Sequence, residues 1–211
     1  MKNSSFLITL LALALVFVTY KWVDSTSAAP AVTTDTVPST TLDDILMRTS
    51  VRSYSDRKVD SLTVDTLLRA AMAAPTAGNK QPWRFVVVTD TASLNYIASN
   101  FRSMKMAAEA QVAVVMCGDV TATFEGEGRE YWVQDVSAAT ENLLLAAHSV
   151  GLGAVWCGIY PISERVNEFT TLLKLPENII PMACVCVGYP AVATTPKDKW
   201  VPEYIRYNTW E

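Results

Sequence analysis

Apolar residues along this chain fall into short dense runs, and the spacing inside each run predicts the local backbone. Residues 84–89 (RFVVVT), 112–117 (VAVVMC) and 179–187 (IIPMACVCV) are nearly continuous apolar stretches rich in β-branched side chains. Runs of this kind predict strands buried on both faces. Elsewhere the apolar positions open to helical spacing. In 61–74, Leu62, Leu67, Leu68, Ala71 and Met72 recur at intervals that predict an amphipathic helix, stopped by Pro75. The segment 40–47 (TTLDDILM) predicts a short helix capped by Thr40 or Thr41, with Asp43 and Asp44 in the first turn where negative charge suits the helix dipole. Further helices are expected over 92–99 and, with Ser163 as cap, over 164–173.

The segment 131–150 (YWVQDVSAATENLLLAAHSV) carries Ala and Leu around its whole circumference, so it predicts a long helix covered on most sides. Gly151 and Gly153 end it, and GLGAVWCGIY leads through another strand toward Pro161. Strands alternating with helices predict one sheet with helices on both faces, in a single domain over residues 40–211. The polar tail that ends the chain, PKDKWVPEYIRYNTW, has aromatic residues but no core of its own. Such a tail is expected to pack on another surface, a neighbouring subunit in an oligomer.

Residues 1–39 stand apart. FLITLLALALVFVTY, residues 6–20, is uncharged, follows Lys2 and precedes Lys21, Trp22 and a Ser/Thr/Ala/Pro-rich tract. Two readings fit: a signal peptide cleaved around Ser27, Ala28 and Ala29, or an uncleaved anchor with Trp22 at the membrane interface and the Thr/Pro-rich tract as linker. The run is shorter than the roughly 20 apolar residues of a full span. Both readings place the domain outside the cytoplasm or at a membrane, through residues 6–20, without fixing the side it faces.

Composition narrows the function. The chain has 211 residues, half of them hydrophobic, which is enough for one sizeable core. A net charge of −4 without a long Lys/Arg run argues against nucleic-acid binding. The four cysteines, Cys117, Cys157, Cys184 and Cys186, lie in or beside apolar strand-like runs and read as buried free thiols. Cys184 and Cys186, two apart on a strand, share a face and do not readily bridge each other. The single His148 sits in an apolar helix, where a core or interface role is expected, and no metal cluster, Walker loop, dinucleotide fingerprint or hydrolase triad is present.

What remains is a set of anion-binding and amide-rich segments. RTSVR places Arg48 and Arg52 with the hydroxyls of Thr49 and Ser50 at a helix end, and guanidinium forks suit phosphate. In PKDK, Lys197 and Lys199 point to one side of an extended stretch. Either feature also fits a solvated basic turn. AAPTAGNKQPW pins Asn79 and Gln81, with their paired donors and acceptors, between Pro75 and Pro82.

These elements, R-x-S-x-R, A-P-T-A-G-N-x-Q-P-W-x-F before a strand, G-L-G-A-x-W-C-G after a long helix, V-G-Y-P and a K-x-K tail, closely resemble the FMN-dependent nitroreductase family over about residues 40–211. The resemblance implies an α+β fold, a mixed sheet flanked by helices, in an intertwined homodimer with two FMN at the subunit interface and the 131–150 helix at its centre. It implies that Pro75, Thr76, Ala77, Asn79 and Gln81 lie against the flavin ring and ribityl chain. It further implies that Arg48, Thr49, Ser50 and Arg52 grip the phosphate with Lys197 and Lys199, while Val155, Trp156, Cys157 and Gly158 line the ring. The Gly158 amide would point at flavin N5.

The implied activity is hydride transfer from NADH or NADPH through flavin N5 to a nitro compound, quinone or similar small acceptor. It would follow ping-pong kinetics with no essential acid–base side chain. Selectivity would come from 100–111 and 124–132, which overhang the ring in relatives. The alternative is a non-enzymatic flavin-binding or electron-transfer protein at the membrane. Two departures from the pattern are Thr76 in place of the commoner Ser and a tail with lysines only. An export segment also conflicts with cytoplasmic nicotinamide donors.

Overall fold

A computed structural model of the protein describes residues 40–210; the expected signal or anchor segment and the linker before residue 40 lie outside the described residues. Four strands, β1 (Trp83–Val88), β2 (Val112–Asp119), β3 (Gly153–Gly158) and β4 (Ile179–Gly188), form one sheet in the order β1-β2-β4-β3. Among the described residues five helices flank it: α1 (Thr41–Met47), α2 (Ser61–Met72), α3 (Thr91–Asn100), α4 (Tyr131–Ser149) and α5 (Ser163–Leu173).

Every pairing among the four strands is antiparallel. The expected mixed sheet is therefore corrected to an antiparallel one, with a single parallel bridge, Ser50 to Ala154, at the β3 edge. The physical reason is that burial on both faces erases the inside-outside alternation that usually marks antiparallel strands. Alternation survives as a division between two cores. Val112, Val114 and Met116 of β2 face α2 and α4, whereas Ala113, Val115 and Cys117 face α3, α5 and the turn at 102–108. Pro181, which brings no N–H to the ladder, sits in β4 opposite Cys117, where the register shifts.

The helices follow the sequence pattern with local differences. Thr40 caps α1 through a reciprocal capping box with Asp43. Helix α2 ends at Met72, and it buries Val64, Leu67 and Ala71 while Leu62 and Met72 are exposed. The expected Ser163 cap is absent, because Ser163 is the first helical residue and Ile162 occupies the cap position. Helix α4 is covered along its length, with Trp132, Val136, Ala139, Leu143 and Ala147 buried.

All four thiols are free and buried, on the sheet face away from α4. The hydrogen bond with Cys186, then burial, pushes the Cys157 thiol up, and burial raises Cys117 to about 12. Thiols so shifted are unreactive at neutral pH.

Asp119, at the end of β2, knots three elements together. It accepts from Arg84 Nη2 at 2.8 Å, Thr121 Oγ1 at 2.6 Å and Asn178 Nδ2 at 3.0 Å. Burial opposes its charge, but the hydrogen bonds from Thr121 and Asn178 and the Arg84 guanidinium outweigh it and hold the carboxyl below its ordinary value. A lowered folded pKa adds stability that is present above the unfolded value of about 3.9 and is lost as pH falls through the folded value. Asp119→Asn is expected to cost roughly 2 kcal/mol at pH 7. In urea unfolding the gap to wild type should narrow as pH drops from 5 to 3.

Candidate functional site

The 48–52 segment is laid along the edge of β3. Val51 turns into the core and its N–H donates to the Ala154 carbonyl at 3.0 Å. Gly153 permits this approach, since a Cβ there would lie 2.6 Å from Val51 Cβ. The buried Tyr54 hydroxyl shares its one proton between the carbonyls of Val51 and Cys186, at 2.8 and 3.0 Å, and ties the segment to β4 as well. With Val51 inward, alternation along an extended chain sends Arg48, Ser50 and Arg52 the other way.

They line a cleft of about 810 Å³, together with Thr49 and the tail residues Lys197, Asp198 and Lys199. Arg48, Thr49, Ser50, Arg52, Lys197 and Lys199 are thus brought together, from positions about 150 residues apart in sequence. Two acids sit among them that sequence reading did not single out. Asp198 lines the cleft between the lysines. Glu141 of α4 lies 3.1 Å from Arg48 Nε in an ion pair that is not aligned as a hydrogen bond. The Arg48 side chain is only 18 % exposed.

Arg52 also lines an adjoining cavity of about 380 Å³, whose wall is Val155, Trp156, Cys157 and Gly158. Val155 and Cys157 face the thiol-side core and Trp156 packs on the α4 side. Gly158 is exposed, with open space where a Cβ would be.

The 75–81 segment is built differently. Its 3₁₀ turn, Ala77–Asn79, carries left-handed backbone at Gly78 and Asn79, and Gln81 just beyond it is left-handed too, with φ of 54°, 54° and 50°. For Gln that conformation is uncommon and must be held by its surroundings. Gln81 N–H donates to Thr76 Oγ1 at 3.2 Å, and Gln81 Nε2 donates to Asn79 Oδ1 at 2.8 Å. The Phe124 ring lies over Gly78, so close that a Cβ there would sit 2.6 Å from it. The Ala77 N–H donates to Oδ1 of the buried Asp135 at 2.9 Å, while Oδ2 has no partner. Asp135 is a loop anchor that no local sequence pattern marks. Pro75, Thr76, Ala77, Asn79 and Gln81 line neither cleft, so one chain does not gather every expected site residue.

The profile of the Nitroreductase family matches residues 45–189. The chain belongs to the nitroreductase family. A provisionally assigned NADH dehydrogenase/NAD(P)H nitroreductase of Archaeoglobus fulgidus is 41 % identical over 169 residues, covering 79 % of this chain and 96 % of the relative. A crystal structure given the same provisional assignment, from Parabacteroides distasonis, is 42 % identical, covers 81 % of this chain and 98 % of its own, and superimposes with a TM-score of 0.77. A nitroreductase structure from Desulfovibrio desulfuricans, in complex with FMN, is 30 % identical with a TM-score of 0.68, covering 81 % and 98 % of the two chains. The protein is a nitroreductase-family enzyme. Its nitroreductase fold is α+β, an antiparallel sheet flanked by helices.

Proposed function

We propose that this enzyme binds FMN and uses it to carry electrons from NADH or NADPH to a nitro compound, quinone or similar small acceptor. The observation that supports this reading most is the basic cleft, where Arg48, Ser50, Arg52, Lys197 and Lys199 converge from two distant segments. That donor set fits a phosphate monoester: guanidinium forks for two oxygens, a hydroxyl and two ammonium groups for charge. The adjoining cavity extends from it along Val155, Trp156, Cys157 and Gly158, which suits a flat ring joined to the phosphate by a short chain. FMN, when bound, would supply the redox chemistry, taking hydride at N5 and passing it on, so that donor and acceptor use the site in turn.

The chain's own residues bind and orient. Arg48 and Arg52 hold the phosphate end, and Gly158, exposed and uncrowded, is assigned to offer its amide to the ring. The 75–81 segment, absent from both clefts, completes the site when two chains associate as a homodimer, each lending this segment to the other. Exposed apolar surface is in place for such an association: Leu42, Ile45, Leu46 and Met47 on α1, and Trp200, Tyr204, Tyr207 and Trp210 in the tail.

The test is the visible spectrum of the purified protein, with released flavin identified and bleaching followed on adding NADH or NADPH. The expected result is an FMN spectrum, bleached by at least one donor and restored by a nitroaromatic. A colourless protein that does not take up added FMN would overturn the reading. Bound FMN that neither donor bleaches would shift it to a flavin-binding or electron-transfer protein.

A further inference from the structure

The cavity beside β3 holds more positive charge than its expected role requires. Besides Arg52, it is lined by Arg102, at the start of the 3₁₀ turn Arg102–Ala108, and Arg165, in the first turn of α5. Three arginines from three separate elements therefore line one opening, and among the described residues no Asp or Glu lines it. Arg165 Nη1 donates to the Gly158 carbonyl at 2.7 Å, which fixes its fork beside the wall assigned to the flavin ring. Among the described residues the ion pairs are Arg48 with Glu141 and Arg84 with Asp119, so none of these three arginines is in one.

Like charges brought together without a counter-ion repel, and a low-dielectric cleft focuses their field on whatever enters it. The arrangement is favourable once an oxyanion sits among them, because a guanidinium binds carboxylate or phosphate through two parallel hydrogen bonds. On the proposed reading the phosphate of the cofactor is served by Arg48, Arg52, Ser50 and the two lysines in the neighbouring cleft, which leaves Arg102 and Arg165 without an assigned anion.

The geometry points to a subsite, formed by Arg102 and Arg165, that selects substrates carrying a carboxylate or phosphate group beside the electron-transfer centre. This rests on the FMN reading for its redox part but not for its binding part. A neutral acceptor lacks the group these side chains recognise, and discrimination should therefore follow charge more than ring shape.

The experiment compares 4-nitrobenzoate with neutral 4-nitrobenzyl alcohol as acceptors and NADPH with NADH as donors, in the FMN-loaded protein and in Arg102→Ala, Arg165→Ala and Arg102→Lys. FMN content and thermal unfolding check that each variant is folded. The ratio of kcat/KM for the anionic over the neutral acceptor is expected to fall roughly 10- to 100-fold in the alanine variants, the range for losing a charged hydrogen bond. Arg102→Lys should recover part of it. A fall confined to the NADPH over NADH ratio would place the recognised oxyanion on the donor, also in support. Calorimetric titration of 4-nitrobenzoate gives a readout independent of turnover: wild type binds and the alanine variants bind at least tenfold more weakly. Should the protein prove colourless, that titration still decides the subsite. Ratios and affinities unchanged in both alanine variants would overturn the proposal.

Discussion

Arg48→Ala is expected to weaken FMN binding by roughly 10- to 100-fold while changing the stability of the flavin-free protein by less than about 1 kcal/mol. The first figure follows from removing a charge-assisted fork from a phosphate site. The second follows from what Arg48 touches within its own chain: Glu141, half exposed, in a contact without hydrogen-bond alignment. Truncation therefore forfeits no aligned hydrogen bond, removes a buried Nε that has no hydrogen-bond partner, and leaves Glu141 with access to water. Titrating the flavin-free protein with FMN by fluorescence, alongside urea unfolding, separates the two effects. Arg48→Lys should fall between wild type and Ala, since an ammonium keeps the charge and loses the fork. Unchanged FMN affinity would remove Arg48 from the phosphate site.

Gly153→Ala is expected to act the other way, lowering stability and FMN affinity together. Its new methyl would lie 2.6 Å from Val51 Cβ and 2.7 Å from both Val51 methyls, against a buried side chain that has nowhere to retreat. Overpacking of this sort costs roughly 1–3 kcal/mol. Relief requires the 48–52 segment to move off β3, and that shifts Arg48, Ser50 and Arg52 out of register with Lys197 and Lys199. Because the clash is with one side chain, Val51→Ala in the same chain should restore part of both losses, a coupling that urea unfolding and FMN titration of the double variant would measure. Simple additivity of the two substitutions would mean that the segment is held elsewhere.

The contrast between these two residues shows what the sequence makes legible. Strands β1, β2 and β4 were readable because a buried strand needs a continuous apolar run, and α4 because an all-round apolar helix needs cover on most sides. The basic cleft was readable as two local clusters, RTSVR and PKDK, whose residue types suit phosphate. Their meeting was not written in either cluster. It depends on Val51 docking against Ala154, a contact over about 100 residues.

The same reasoning explains what was missed. Strand direction left no mark, since a sheet covered on both faces reads the same whether its neighbours run parallel or antiparallel. Asp135, Glu141, Arg102 and Arg165 stand singly in their segments, and each matters only through a partner distant in sequence: Ala77, Arg48 or the wall of the β3 cavity. The Ser163 cap failed for a local reason, the cap position falling on Ile162, one residue before the best capping side chain. For the 75–81 segment, residue type and the two prolines marked the turn, while its anchoring on Asp135 and beneath Phe124 depends on residues distant in sequence.

The thiol-bearing face of the sheet bears on where such a domain can mature. Its four sulfurs are enclosed by α3, α5 and the 102–108 turn, and none is cross-linked. Covalent bridges contribute nothing to this core, so folding requires no oxidant and survives reduction. A domain built in this way is indifferent to the redox poise of its surroundings, and its cysteines by themselves tie it to no compartment.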